Sequence, residues 1–161
     1  MELKPETLAE IEEAIPKYPK KQSAVMPLLH AIQKDQGLLT NETAEWVAGK
    51  LGMEAIQVLA VITFYPFFRQ HRIGKRHIRV CRTLSCAMAG GAKVCDKMLS
   101  EFDTDLNEIS PDGEVTVEFA ECLASCGSAP VMLVDDELHE NLDEEKTKAI
   151  CDQIKSEAVQ A

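Results

Sequence analysis

Four cysteines stand in two close pairs: Cys81 and Cys86 form a C-x4-C motif, and 35 residues later Cys122 and Cys126 form a C-x3-C motif. A thiol that loses its proton becomes a soft ligand, and four thiolates drawn to one place bind a soft metal or a metal cluster. Structural disulfides are the competing use of cysteine. The chain opens Met-Glu-Leu-Lys-Pro-Glu-Thr and runs into a polar amphipathic pattern with no apolar leader, so a reducing, cytosolic compartment is expected. That setting favours metal or redox chemistry. The other two cysteines, Cys95 and Cys151, fall on apolar stripes of expected helices and read as small core hydrophobes.

Zinc and iron–sulfur are the two chemistries that fit. A single zinc ion gathers four sulfurs tightly and usually takes shorter knuckles, whereas a two-iron cluster is wider and tolerates longer ligand loops. The spacing therefore favours [2Fe–2S], with structural zinc as the alternative. Around the ligands lie Ser85, Ala87, Ala89, Gly90 and Gly91 in one loop, and Ala124, Ser125, Gly127, Ser128 and Ala129 in the other. Such small residues let backbone N–H groups approach sulfur, which tunes a cluster's potential. A disulfide reductase would need Cys-x-x-Cys at a helix start, a spacing absent from both pairs. His30, His71, His77 and His139 are scattered, with no ligand partner at i+4, and read as solvated or packed. No G-x-G-x-x-G follows a strand, so the chain is expected to lack its own flavin or nicotinamide site, and no catalytic residue is assigned.

The elements that must position these thiols come in two kinds. Residues 1–75 are expected to form a helical bundle. Leu8, Ile11 and Ile15 repeat at helical spacing; Val25, Leu28, Leu29 and Ile32 form a second stripe ending near Gly37, with Pro27 in the first turn. Thr40 is the expected N-cap of a third helix closed by Gly52, and a fourth runs from about Glu54 to Thr63 with Ile56, Leu59 and Ile62 inward. The longest apolar run, Ile56 to Phe68, is too short and too interrupted to span a membrane and reads as a buried helix and its exit. A bundle this small is marginal alone and is expected to need a partner surface.

From residue 76 the pattern changes to strand, helix, strand, strand, strand, helix. Ile78 and Val80 alternate with charged residues, Asp112-Gly113 is a turn signal before Val115, Val117 and Phe119, and Val131 to Val134 is a third strand. Val94, Cys95, Met98, Leu99 and Phe102 share one helical face, and Asp143 caps a last helix with Ile150, Cys151, Ile154 and Ala158. The expected class is α+β: an N-terminal helical bundle over 1–75, then a thioredoxin-like α/β domain with a small mixed sheet over 76–161. If the first two strands pair, both cysteine pairs reach one end of the sheet.

Charge excludes one class of partner and divides the chain. Asp and Glu outnumber Lys and Arg 27 to 17, a net charge of −10, and aromatics are 5%, which argues against nucleic acid. Residues 69–82 carry six basic groups and no acidic one: Arg69, Arg72, Lys75, Arg76, Arg79 and Arg82. This basic seam reads as a solvated linker or as a face that docks an acidic partner or offsets a cluster's charge.

Cys81-Arg-Thr-Leu-Ser-Cys86 followed by Gly90, and Glu121-Cys122-Leu-Ala-Ser-Cys126-Gly-Ser-Ala-Pro130-Val, resemble the thioredoxin-like [2Fe–2S] ferredoxin family that supplies the E-type component of NADH-quinone oxidoreductases. Leu29-His30-x-x-Gln33 with Gly37, and Thr63-Phe64-Tyr65, resemble that family's N-terminal region, so the likeness covers essentially the whole chain. The resemblance implies one [2Fe–2S] cluster with Cys81, Cys86, Cys122 and Cys126 as ligands. It implies a place beside the FMN- and NADH-binding subunit and other peripheral-arm subunits of complex I, on the cytoplasmic face of the inner membrane without direct insertion. In that family the cluster lies off the main electron wire and takes one electron from reduced flavin. The same module serves NAD(P)-linked hydrogenases and formate dehydrogenases, which is the alternative. The family commonly has Cys-Leu-Gly-Ala-Cys where this chain has Ala124 and Ser125. The missing glycine implies that its position needs no positive φ, and the Ser125 hydroxyl is expected to bear on cluster potential. Pro130 is expected to be cis.

Overall fold

Pro5 opens the first helix, where its missing N–H leaves no intrahelical bond unmade. The computed structural model describes residues 1–160, and contacts within it divide the chain into two units, Met1–Arg72 and Ile73–Ala161.

The first unit holds α1 (Pro5–Ala14), α2 (Val25–Gln36), α3 (Asn41–Leu51) and α4 (Ala55–Phe64), with two 3-10 turns between α1 and α2. Thr40 caps α3 as expected, its side chain accepting from the Thr43 N–H, and Gly52 ends that helix in the left-handed region at φ 65°. Leu28, Leu29, Ile32, Val47, Leu51, Val58 and Ile62 form the core with Ile11. Two residues depart from the expected stripes. Leu8 is exposed on α1, and Ile56 is 69% exposed on α4, where Val58 and Ile62 turn inward instead. The apolar run from Ile56 is therefore not a fully buried helix: Phe64 also lies on its open side. A helix apolar on nearly every side has no periodic signal to say which side faces the core.

Gln33 closes this unit. Its side-chain amide donates to the Phe67 carbonyl at 2.9 Å and its side-chain oxygen accepts from the Arg69 N–H, so the segment after α4 is tied back to α2. His30 stacks on Phe67 with ring centroids 5.1 Å apart. The Leu-His-x-x-Gln motif thus has a packing role in this chain.

The second unit is a four-stranded sheet in the order β2-β1-β3-β4, built from β1 (Arg76–Cys81), β2 (Val115–Ala120), β3 (Met132–Val134) and β4 (Glu137–His139). β1 and β2 run parallel with Cys81 opposite Ala120, while β3 pairs antiparallel with β1 and with β4. Between β1 and β2 the chain forms α5 (Leu84–Met88) and α6 (Gly91–Glu101), and α7 (Glu144–Gln160) follows β4. α5 is an addition to the expected order. Five residues are too few to show a periodicity, so the segment reads as loop in sequence. Ile78, Val80, Val115, Val117 and Met132 from the sheet pack with Val94, Cys95 and Met98 of α6 and Cys151 and Ile154 of α7. Asp143 caps α7 through a 2.8 Å bond from the Lys146 N–H. Among the described residues no helix is long and apolar enough to cross a membrane.

Candidate metal centre

Parallel pairing of β1 and β2 decides where the thiols go. Cys81 is the last residue of β1, its partner Ala120 ends β2, and both strands therefore release their loops at the same end of the sheet. The loop after β1 winds at once into α5, which carries Cys86. The loop after β2 carries Cys122 and, at the start of a single 3-10 turn, Cys126. Cys81 N–H donates to the Val131 carbonyl at 3.1 Å, so the strand end is also fixed from the β3 side. The Ala129–Pro130 bond that leads into that strand is cis, as the resemblance implies.

The thiols are gathered as two pairs. Cys122 and Cys126 sulfurs lie 3.8 Å apart, and the Cys81 and Cys86 thiols are close enough for each to shift the other's ionisation. The pairs differ in exposure: Cys81 and Cys86 are each 2% exposed, whereas Cys122 and Cys126 are open to solvent. Among the described residues no three Cys, His, Asp or Glu side chains close on a point that would hold a single metal ion. Two thiol pairs would supply the four soft donors that a binuclear iron–sulfur group needs. The donor chemistry and the pairing fit such a group.

The surroundings prepare thiolates. Burial presses the Cys81 thiol upward, but bonds from the Thr83 hydroxyl and from the Leu123 and Thr83 backbones together bring it below its ordinary value. Cys122 is held down by the Ala124 N–H, which donates to its sulfur at 3.4 Å, and further by Cys126 and Thr83. Cys86 is pushed up by burial and by the neighbouring Cys81, with the Val131 backbone working against both. A cation bound between the pairs would reverse that upward push. Cys95 and Cys151 are completely buried in the sheet–helix core, their thiols raised to about 11 chiefly by burial, and take no part in the site.

One expectation about the second loop is overturned, and the partner of Ser125 is resolved. Ala124 has φ 60°, so the position does require the left-handed region although no glycine fills it. The Ser125 hydroxyl is engaged by other groups: it bonds to the Glu140 carboxylate and lies 2.8 Å from Ser128 Oγ, which also bonds Glu140. Those hydroxyls hold Glu140 below its usual value, Ser125 most. The hydroxyl that does face sulfur belongs to Thr83, 3.3 Å from Cys81 Sγ. Thr83 and Glu140 are functional neighbours that sequence pattern alone does not single out. Thr83 is signalled only by its place two residues after Cys81, while Glu140 has no sequence signal. His77 is buried on β1 with Nε2 2.9 Å from a Glu118 carboxylate oxygen, which accounts for it as a packed residue.

A mixed sheet carrying two thiol pairs at one end of its parallel strand pair defines a thioredoxin-like scaffold with a soft-metal centre. The match to the description thioredoxin-like [2Fe-2S] ferredoxin spans residues 11–155, and the chain belongs to that family. Its cofactor is accordingly a [2Fe–2S] cluster. Among its relatives, the E-type component 2 of the NADH-quinone oxidoreductase of Rhizobium meliloti is 36% identical over 147 residues, covering 91% of this chain and 88% of the relative. NADH-quinone oxidoreductase subunit 2 of Thermus thermophilus is 37% identical over 129 residues, covering 79% of this chain and 71% of the relative. These relatives are subunits of oxidoreductases. A solved NAD+-reducing [NiFe]-hydrogenase in the air-oxidized state has a chain that superposes with a TM-score of 0.70 over 83% of this chain at 19% identity; the match spans 23% of the hydrogenase chain and speaks to fold alone.

Proposed function

We propose that this chain is the E-type electron carrier of an NADH:quinone oxidoreductase, with one [2Fe–2S] cluster held by Cys81, Cys86, Cys122 and Cys126. The observation that carries the assignment of ligands is the meeting of two thiol pairs at the shared end of β1 and β2. The function itself rests on the membership in the family and on the extended likeness to E-type relatives. When bound, such a cluster takes up and releases one electron with little rearrangement. The protein's part is to supply four thiolates, to aim the Leu123, Ala124 and Val131 backbones and the Thr83 hydroxyl at them, and to bury one pair while leaving the other at the surface. The open pair is the side from which an electron partner approaches, because transfer falls off with distance.

The partner in this reading is a flavin- and NADH-binding subunit, with the other peripheral-arm subunits nearby. The chain contributes to the oxidoreductase and to its translocating activity only through that complex, having no complete active site of its own. Its place is then peripheral, on the cytoplasmic side of the inner membrane. The likeness of fold to a chain of an NAD+-reducing hydrogenase favours one second reading, the same carrier in a hydrogenase complex.

Anaerobic purification with iron, acid-labile sulfide and zinc analysis tests the assignment. Two irons and two sulfides per chain are expected, with an EPR signal on one-electron reduction that is lost when any of the four cysteines is changed to Ser. Bound zinc with no sulfide would overturn it. Proteins that copurify then separate quinone reductase from hydrogenase.

A further inference from the structure

Thr83 sits at the N-cap position of α5 with extended backbone, φ −77° and ψ 169°. A threonine there ordinarily turns its hydroxyl back to accept a bond from an N–H of the first helical turn. That cap bond is not made. The hydroxyl oxygen lies instead 3.3 Å from Cys81 Sγ. Once Cys81 is a metal-bound thiolate it has no proton to give, and the Thr83 O–H is then the donor. The residue has given up a local helix interaction for one directed at sulfur, while Ser125, next to Cys126, is engaged by Glu140.

We propose that Thr83 is a potential-setting and positioning residue of this centre, its hydroxyl donating to the Cys81 sulfur and favouring the more electron-rich, reduced state of the cluster. This rests on the reading of Cys81, Cys86, Cys122 and Cys126 as the ligands of a [2Fe–2S] cluster. A hydrogen bond to sulfur strengthens as negative charge accumulates there, so its loss makes the cluster harder to reduce.

The test compares the full chain with Thr83→Val and Thr83→Ser, each loaded anaerobically. Iron and sulfide are assayed first, and a potentiometric titration followed by EPR comes second. Thr83→Val is expected to keep two irons and two sulfides while its reduced-to-oxidised ratio at fixed potential falls roughly three- to tenfold, a downward shift of about 30 to 60 mV by the one-electron conversion. Thr83→Ser, which keeps the hydroxyl, is expected to titrate with the unaltered chain. A loaded valine variant at unaltered potential overturns the proposal, as does a serine variant shifted as far as the valine one. If the valine variant does not load, the serine variant decides: loading at unaltered potential supports the role, and a departure of threefold or more overturns it. An unaltered chain that holds zinc without sulfide removes the ligand reading, and this proposal with it, before any potential is measured.

Discussion

Ala124 holds φ at 60° between Cys122 and Cys126, a conformation that costs an L-residue with a Cβ about 1–2 kcal/mol. Ala124→Gly relieves that cost but adds freedom to the unfolded chain, so the net expectation is a gain of up to about 1 kcal/mol in urea unfolding of the apo chain. An equal or larger loss would contradict the account. The Ala124 N–H needs to stay on Cys122 Sγ, which the glycine permits. The cysteines themselves were legible from spacing, since C-x4-C and C-x3-C separate four thiols from the two that follow helical apolar stripes. Reagent access should separate them again: iodoacetamide at about pH 8 on folded apo protein is expected to modify Cys122 and Cys126 and to leave Cys95 and Cys151, fully buried and raised to about 11, intact until denaturant is added. What spacing could not show was the backbone angle at position 124 or the direction of the Ser125 hydroxyl. The second depends on where Glu140, which follows β4, comes to lie.

Gly91 is the element-scale counterpart. It opens α6 directly after α5, and a Cβ built there would stand 2.9 Å from the Cys81 carbonyl oxygen and 3.0 Å from that of Cys86. Backbone, not a movable side-chain tip, is what the added carbon meets. Gly91→Ala is therefore expected to push the α5–α6 corner away from the end of β1, destabilising by about 1–3 kcal/mol in urea unfolding and lowering iron incorporation. Unchanged stability and full iron content would refute the close-approach argument. Sequence periodicity identified α1 to α4, α6 and α7 because each is long enough to show apolar residues recurring at helical spacing. It misplaced Ile56 because α4 is apolar all round, and it missed α5 because one helical turn has no period. The order of strands was readable, but the position of β1 between β2 and β3 follows from tertiary pairing alone.

Over the whole molecule the net charge of −10 conceals local pairing. Much of the basic seam is engaged within the second unit: Lys75 meets Glu114 at 2.6 Å, Arg76 meets Asp135 at 3.0 Å and also Glu157, and Arg82 meets Glu121. A bare docking face is a poor description of those residues. The clearest acid-linked group is Glu101, held at about 2 by hydrogen bonds from Lys155 and then Lys97, against an ordinary 4.5. The unfolded chain takes up that proton at higher pH than the folded one. Its stabilising contribution is thus complete above about pH 5 and is lost as pH falls from about 4.5 to about 2. Glu101→Gln is expected to flatten that part of a far-UV CD stability profile, more visibly at low salt because the group is near the surface. A profile unchanged in that window would show the pairing to be energetically idle.

The parallel β1–β2 ladder has a consequence for assembly. In many small metal proteins the ion itself collects distant ligands and so folds the chain. Here the 35 residues between Cys86 and Cys122 are already closed into a loop by six backbone pairings and a packed core of sheet and helices. The entropy of bringing the two motifs together is therefore expected to be met by the polypeptide rather than by the metal. Stripping the iron with a chelator under reducing conditions should leave the far-UV CD spectrum nearly unchanged and lower the unfolding midpoint, and re-addition of iron and sulfide should refill the site without refolding. A chain that lost its helical signal on chelation would have the opposite order of events, metal first and fold second.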